Sequence, residues 1–331
     1  MNPVRVLIAT PQSSETLSKL VDMAPNNVQI ILPSEGTEDE LIQLAADADI
    51  IVCVRLSREV AIAARKLKLI QKTGAGVDGI PLDILNEDVL VANTSGSNPV
   101  PLAEGTAALV LALAKQIVRR HNLFPKSDDS TRRGVELRGK IAGIIGLGRI
   151  GVEVARLLKA FEMNIYAIKR NPKDTSEIKS KIDFLGGPSD LEYLLQQSDF
   201  VVVNAPSTPE TRGMIGEHEL HLMKPTSYLV NVARGDIIQE DALYKALSEG
   251  WIAGAALDVW WPPHWWDPSW NRDGLVPKHE FWKLSNVIAT PHNIGSSDIR
   301  SDAGLQIIAE NIHRIAEGRQ PINLVDRALQ Y

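Results

Sequence analysis

Three kinds of residue in this chain could do chemistry, and their settings indicate which. Gly146, Gly148 and Gly151 stand in the order G-x-G-x-x-G between an apolar run and a segment of helical period. A strand–turn–helix of that kind binds the phosphates of a dinucleotide, because its glycines let backbone approach the pyrophosphate and the helix start offers free amides. Arg234 follows a second apolar run, in Asn231-Val232-Ala233-Arg234-Gly235. A guanidinium there can grip a planar carboxylate through two parallel hydrogen bonds, although alone it is more often just a surface charge. His292 follows a third run, in Thr290-Pro291-His292-Asn293. Imidazole moves protons near neutral pH, whereas a lone histidine is more often structural. His218 and His221 could share a helix face, but no third ligand accompanies them, so no metal is expected.

These groups must be positioned by strands and helices in alternation. Residues 4–10, 28–32, 50–54, 69–72 and 89–92 read as short strands, with helices over 13–23, 37–46 and 58–65 between them. That rhythm predicts a parallel sheet covered on both faces. After the fourth strand comes the glycine-rich loop Gly74-Ala75-Gly76-Val77-Asp78, whose amides could hold a carboxylate at a strand's carboxyl end. The polar break at 94–99 marks a domain boundary, followed by one long apolar helix over 101–120. A second βα series then runs through strands at 141–145, 164–168, 200–204, 228–231, 252–257 and 287–290, and a closing helix over 296–317. The turn 204–211, rich in proline, suits the lining of an adenine or ribose.

At 331 residues with 44% hydrophobic and 23% charged content, the composition is that of a soluble protein of two domains. A net charge of −6 without a basic stripe gives no reason to invoke nucleic acid. The single cysteine, Cys53, lies in an apolar run and excludes an internal disulfide. Neither a signal-peptide layout nor an unbroken membrane span is apparent, since Glu104 and Lys115 interrupt the longest apolar segment. A cytoplasmic location is expected. All seven tryptophans fall between Trp251 and Trp282.

So many ordered motifs together resemble the D-isomer-specific 2-hydroxyacid dehydrogenases. The resemblance rests on 74–78, on Asn98 six positions before Glu104, and on 143–151, 206–212, 231–236, 255–259 and 290–292. It implies an α/β fold of two doubly wound parallel-sheet domains, one Rossmann-like and one flavodoxin-like. The cofactor domain, residues 99–294, would be inserted into a substrate domain of residues 1–98 and 295–331. It further implies substrate binding by Ala75, Gly76 and Asn98 in a cleft closed by domain movement, with Arg234 holding carboxylate and carbonyl. His292 would be the general acid and base for hydride transfer between nicotinamide and a 2-oxo acid. The cofactor would be held by Gly146, Gly148, Arg149, Ile150 and Gly151, by Pro206, Thr211, Val232 and Ala233, and by Asp258 and Gly295. A homodimer is implied as well.

Two departures from the family's pattern stand out. Twenty-three positions after Gly146, where members preferring NAD carry an acidic residue, stand Lys169 and then Arg170. No carboxylate is present at that point in the sequence to repel a 2′-phosphate, which predicts NADP(H) over NAD(H). Five positions after Asp258, where a glutamate usually supports the catalytic histidine, stands Pro263. Asp267 or His264 would then support His292, or the imidazole works unpaired and favours reduction toward acidic pH. The tryptophans would form either an apolar lid over a bulky substrate or packing between domains. The rival reading is a dinucleotide sensor on the same scaffold, of the corepressor kind, with little or no turnover. A formate-type dehydrogenase, the third possibility, shares Asp258-Val259-Trp260 but has glutamine where Pro263 stands.

Overall fold

The computed structural model describes residues 3–10, 14–124, 133–172, 182–261, 277–297 and 302–331. The chain forms two compact units, residues 1–98 with 299–331, and residues 99–298.

In the first unit, β1 (Val4–Ile8), α1 (Ser14–Met23), β2 (Val28–Ile31), α2 (Glu38–Ala45), β3 (Ile50–Cys53), α3 (Arg58–Ala63), β4 (Leu69–Lys72) and β5 (Leu90–Ala92) follow in order. The sheet is parallel throughout, ordered β2-β1-β3-β4-β5. This is the flavodoxin-like doubly wound order. Strand residues alternate between two cores, as the period of two requires. Val6, Ile8, Ile50 and Val52 join Leu20 of α1 on one face. Leu7, Ile51 and Cys53 join Ala45 and Val60 of α2 and α3 on the other. Burial pushes the Cys53 thiol up to about 12, with Lys72 opposing, so it is packing rather than a nucleophile.

The second unit starts with α4 (Pro99–Lys115) and α5 (Ile117–Leu123). The single helix expected over 101–120 is therefore two, bent by 53°. Gln116 adopts φ 53°, a left-handed conformation that breaks the ladder of helical hydrogen bonds. The unit continues with β6 (Ile141–Ile145), α6 (Arg149–Ala160), β7 (Asn164–Ile168), β8 (Phe184–Gly186), α7 (Leu191–Gln197), β9 (Phe200–Val203), α8 (Glu217–Leu222), β10 (Tyr228–Asn231), α9 (Glu240–Ser248), β11 (Gly254–Leu257) and β12 (Val287–Ala289). The short β8 was not expected, three residues being too few to show a pattern. All pairings are parallel, in the order β12-β11-β10-β9-β6-β7-β8, a Rossmann arrangement whose direction reverses between β6 and β9. Ala142, Ile144, Phe200 and Val202 face a core shared with α4 and α6. Ile145, Val201 and Val203 face one shared with α7, α8 and α9. The long apolar helix α4 thus belongs to this unit's own core.

The chain closes in the first unit with α10 (Ala303–Ala316), shorter than the helix expected over 296–317. Its Ile308 and Ile312 join the face that holds Leu20. Among the described residues no single helix is long and apolar enough to cross a membrane.

Candidate active site

The glycine turn after β6 is shaped as a phosphate cradle. Gly146 has φ 98°, and a Cβ there would stand 2.6 Å from the Ala205 nitrogen. A Cβ on Gly151 would collide with the Gly146 carbonyl oxygen, so α6 can start this close to β6 only with glycine. Gly148 differs, since nothing lies within 4 Å of its missing side chain. That open space is what a pyrophosphate needs. Gly148 also caps α6 without a side-chain hydrogen bond, and no acidic residue occupies the first turn. The amide ends near Arg149, Ile150 and Gly151 therefore keep their positive dipole for an anion.

Beside this turn, at the switch point, Asn204 follows β9, and its buried Nδ2 has no hydrogen-bond partner. A buried orphan donor costs free energy unless a ligand meets it. Together the open turn, the uncapped helix start and this amide fit a dinucleotide. From the sequence Asn204 is the last residue of an expected strand and the first of the turn 204–211, with no separate role of its own. The loop beyond is drawn tight by Thr211, whose hydroxyl donates to the Pro206 carbonyl at 2.6 Å and accepts from the Thr208 amide at 2.9 Å. Lys169 and Arg170 follow β7, and the Arg170 guanidinium lies 2.7 Å from the Glu210 carboxylate in that loop.

At the other end of the sheet's carboxyl edge, three neighbouring strands present Arg234, Asp258 and His292. Asn231, buried at the end of β10, shapes the arginine's loop: its Oδ1 accepts from Ala233 N at 3.1 Å and its Nδ2 donates to Arg234 O at 2.9 Å. Val232 is buried, while Ala233 and Arg234 are half-buried. A Cβ on Gly235 would strike the backbone of Trp260 and Trp261, so the loop after β10 lies directly on the segment after β11.

Asp258 is buried, and its carboxylate gathers the turn after β12. It accepts from the Thr290 hydroxyl at 2.7 Å, from Asn293 N at 3.0 Å and from Ile294 N at 3.3 Å. Burial pushes its carboxyl above the ordinary range, and these hydrogen bonds partly oppose that. Within this turn His292 is half-buried, with φ 56°. It does not stand alone in the structure. Gly295 packs against Leu102 of α4.

Trp260 and Trp261 belong to the interior of the second unit. Both are buried in this unit's core around Phe281. Trp261 stacks on Phe281 and donates to Ile238 O at 2.6 Å; Trp260 donates to Thr290 O at 3.0 Å. The indoles thereby fasten the loops of Arg234 and His292 to one segment. Pro263, His264, Trp265, Trp266 and Asp267 lie outside the described residues.

In the first unit, Ala75 and Gly76 occupy the loop after β4, tied by Asn93 Nδ2 donating to Ala75 O at 2.8 Å. Asn98 is exposed immediately before α4. His218 faces Glu192 at 3.4 Å and His221 lies tilted against the Trp251 ring, and the described residues hold no cluster of three metal-ligating side chains.

Comparisons with known proteins show which family and fold the chain resembles. The family profile described as "D-isomer specific 2-hydroxyacid dehydrogenase, NAD binding domain" matches residues 107–293. The chain is 35% identical, over 97% of its length, to a D-3-phosphoglycerate dehydrogenase of Archaeoglobus fulgidus, but it spans only 59% of that protein. It is 35% identical to a glyoxylate reductase of Thermococcus gammatolerans, with 93% of this chain and 92% of that one covered. Among solved structures, the D-lactate dehydrogenase of Aquifex aeolicus complexed with NAD and lactic acid is similar, with a TM-score of 0.80 and 27% identity. That match covers 95% of this chain and 96% of the other.

Proposed function

The chain belongs to the D-isomer-specific 2-hydroxyacid dehydrogenase family, and from that premise we propose that it reduces a small or aromatic 2-oxo acid to the D-2-hydroxy acid, with NADP(H) preferred over NAD(H). The observation that carries this reading is the convergence of Arg234, Asp258 and His292 on the carboxyl ends of β10, β11 and β12, at the edge that also carries the glycine turn. Ligands of open α/β sheets bind along that edge.

Bound at the turn of Gly146, Gly148 and Gly151, the reduced nicotinamide would supply hydride to the keto carbon. Arg234 holds the substrate's carboxylate and polarises its carbonyl. His292 gives a proton to the oxygen as the carbon accepts hydride, so that alkoxide never accumulates, and takes it back in the oxidative direction. Asp258 orients the His292 turn and the cofactor's carboxamide end. Lys169 and Arg170 supply the positive charge that favours a 2′-phosphate. A homodimer in the cytoplasm is part of the same proposal.

The test is loss of NADPH absorbance beside NADH, with glyoxylate, hydroxypyruvate, pyruvate and phenylpyruvate as substrates and Arg234→Ala as control. Turnover that disappears in the control is the expected result. Tight cofactor binding without turnover on any acid would replace the reductase by a dinucleotide sensor.

A further inference from the structure

The end of β7 lacks the carboxylate that would meet an adenosine ribose, yet a carboxylate reaches that place from elsewhere. Glu210 Oε2 lies 2.7 Å from Arg170 Nη2. Its loop follows β9, whereas Arg170 follows β7, and these two strands flank β6 with its glycine turn. The ion pair therefore bridges from one side of the phosphate cradle to the other. We infer that Glu210 is a specificity-determining residue for the dinucleotide: it competes with a 2′-phosphate for Arg170 and offers an acceptor to a ribose 2′-hydroxyl.

The physical argument rests on charge and exposure. The two side chains are 36% and 67% exposed for Arg170 and Glu210, so the pair is weak and a doubly charged phosphate can displace the carboxylate. Displaced, Glu210 stays on the same short loop, held by Thr211 to the Pro206 carbonyl, and its negative charge continues to oppose the phosphate. With an unphosphorylated ribose there is no such conflict, because a carboxylate accepts from a hydroxyl while Arg170 keeps its partner. Discrimination at this site is thus the difference between the attraction of Lys169 and Arg170 and the repulsion of Glu210. Attraction dominates, but less than the basic pair alone would dictate. This inference rests on the NADP(H) preference proposed above.

Dissociation constants for NADPH and NADH, measured by nicotinamide fluorescence without substrate, test it in wild type, Glu210→Gln and Arg170→Gln. Glu210→Gln is expected to bind NADPH about three- to tenfold more tightly and NADH no more tightly. Unchanged NADPH affinity in Glu210→Gln, or an equal gain for both cofactors, overturns the role of Glu210. Arg170→Gln separates the two layers. If it weakens NADPH while Glu210→Gln changes nothing, only the Glu210 inference falls. If it leaves NADPH affinity unchanged, Arg170 does not read the 2′-phosphate, the competition inferred for Glu210 falls, and only Lys169 is left behind the NADP(H) preference. Both side chains are exposed at the surface, and thermal denaturation of each variant confirms that the comparison is between folded proteins.

Discussion

The carboxylate of Asp258 accepts a 3.0 Å hydrogen bond from the backbone amide of Asn293, the residue that follows His292. With the Thr290 hydroxyl and the Ile294 amide on the same carboxylate, this bond closes a turn in which His292 takes a left-handed φ of 56°. Such a conformation persists in a non-glycine residue only where its surroundings over-determine it. Asp258→Ala leaves part-buried donors without that partner and should cost about 1–3 kcal/mol of stability. It should also lower kcat by about tenfold or more as His292 loses its position. Asp258→Asn, which keeps an acceptor, should restore most of the stability. Because burial raises this carboxyl, the ionised form is disfavoured in the fold. Its contribution to stability is therefore largest at low pH and declines as pH rises through the raised value, a slope Asp258→Asn should lack. Thermal melts across pH and steady-state kinetics check both statements.

Trp260 touches the same turn from the other side, its indole N–H donating to Thr290 O at 3.0 Å. Phenylalanine keeps the aromatic packing and removes the donor. Trp260→Phe should lose about 1 kcal/mol in chemical denaturation. Its kcat should fall while the cofactor dissociation constant stays unchanged, since the glycine turn lies elsewhere on the sheet. A loss of cofactor affinity as large as the loss in kcat would contradict the positioning role.

Two of the fingerprint glycines, Gly151 and Gly148, should fail in different ways. Gly151→Ala forces a Cβ into the Gly146 carbonyl and should destabilise by about 1–3 kcal/mol, read as a lowered melting temperature. Gly148→Ala meets no protein atom within 4 Å, so its melting temperature should hold. A cofactor titration should nevertheless show weaker binding, because the added methyl occupies the space left for the pyrophosphate.

Acid stability of the first unit should depend on Glu40. Its carboxylate accepts from Ser34 Oγ at 2.7 Å and from the amides of Ser34, Glu35 and Gly36 at 2.6, 2.9 and 2.9 Å. The Ser34 hydroxyl and these amides hold it down to about 2, from an ordinary 4.5. A depressed carboxyl contributes stability above the ordinary value and loses it as pH falls from about 4.5 toward about 2. Glu40→Gln should therefore unfold at a higher pH than wild type in an acid titration followed by circular dichroism. Coincident titration curves would refute this.

The sequence by itself determined the local matters. The alternation of short apolar runs with helical periods specified two doubly wound sheets, because each strand must bury both faces. The order G-x-G-x-x-G specified the phosphate turn, because its requirements are steric and act within a few residues. Arg234 and His292 were legible as residues placed just after strands. What the sequence could not determine depends on which strand ends are neighbours. That Asp258 grips the turn of His292, that Trp260 and Trp261 lie in the core, and that Glu210 reaches Arg170 all follow from the order β12-β11-β10-β9-β6-β7-β8. The break at Gln116 was hidden for a related reason, since apolar residues resume at Ile117 and Val118 with no glycine or proline between, and nothing there marks a left-handed residue. Hydrogen bonds and charges act over a few ångströms in space, and only the folded sheet brings residues 35 or 40 positions apart within that reach.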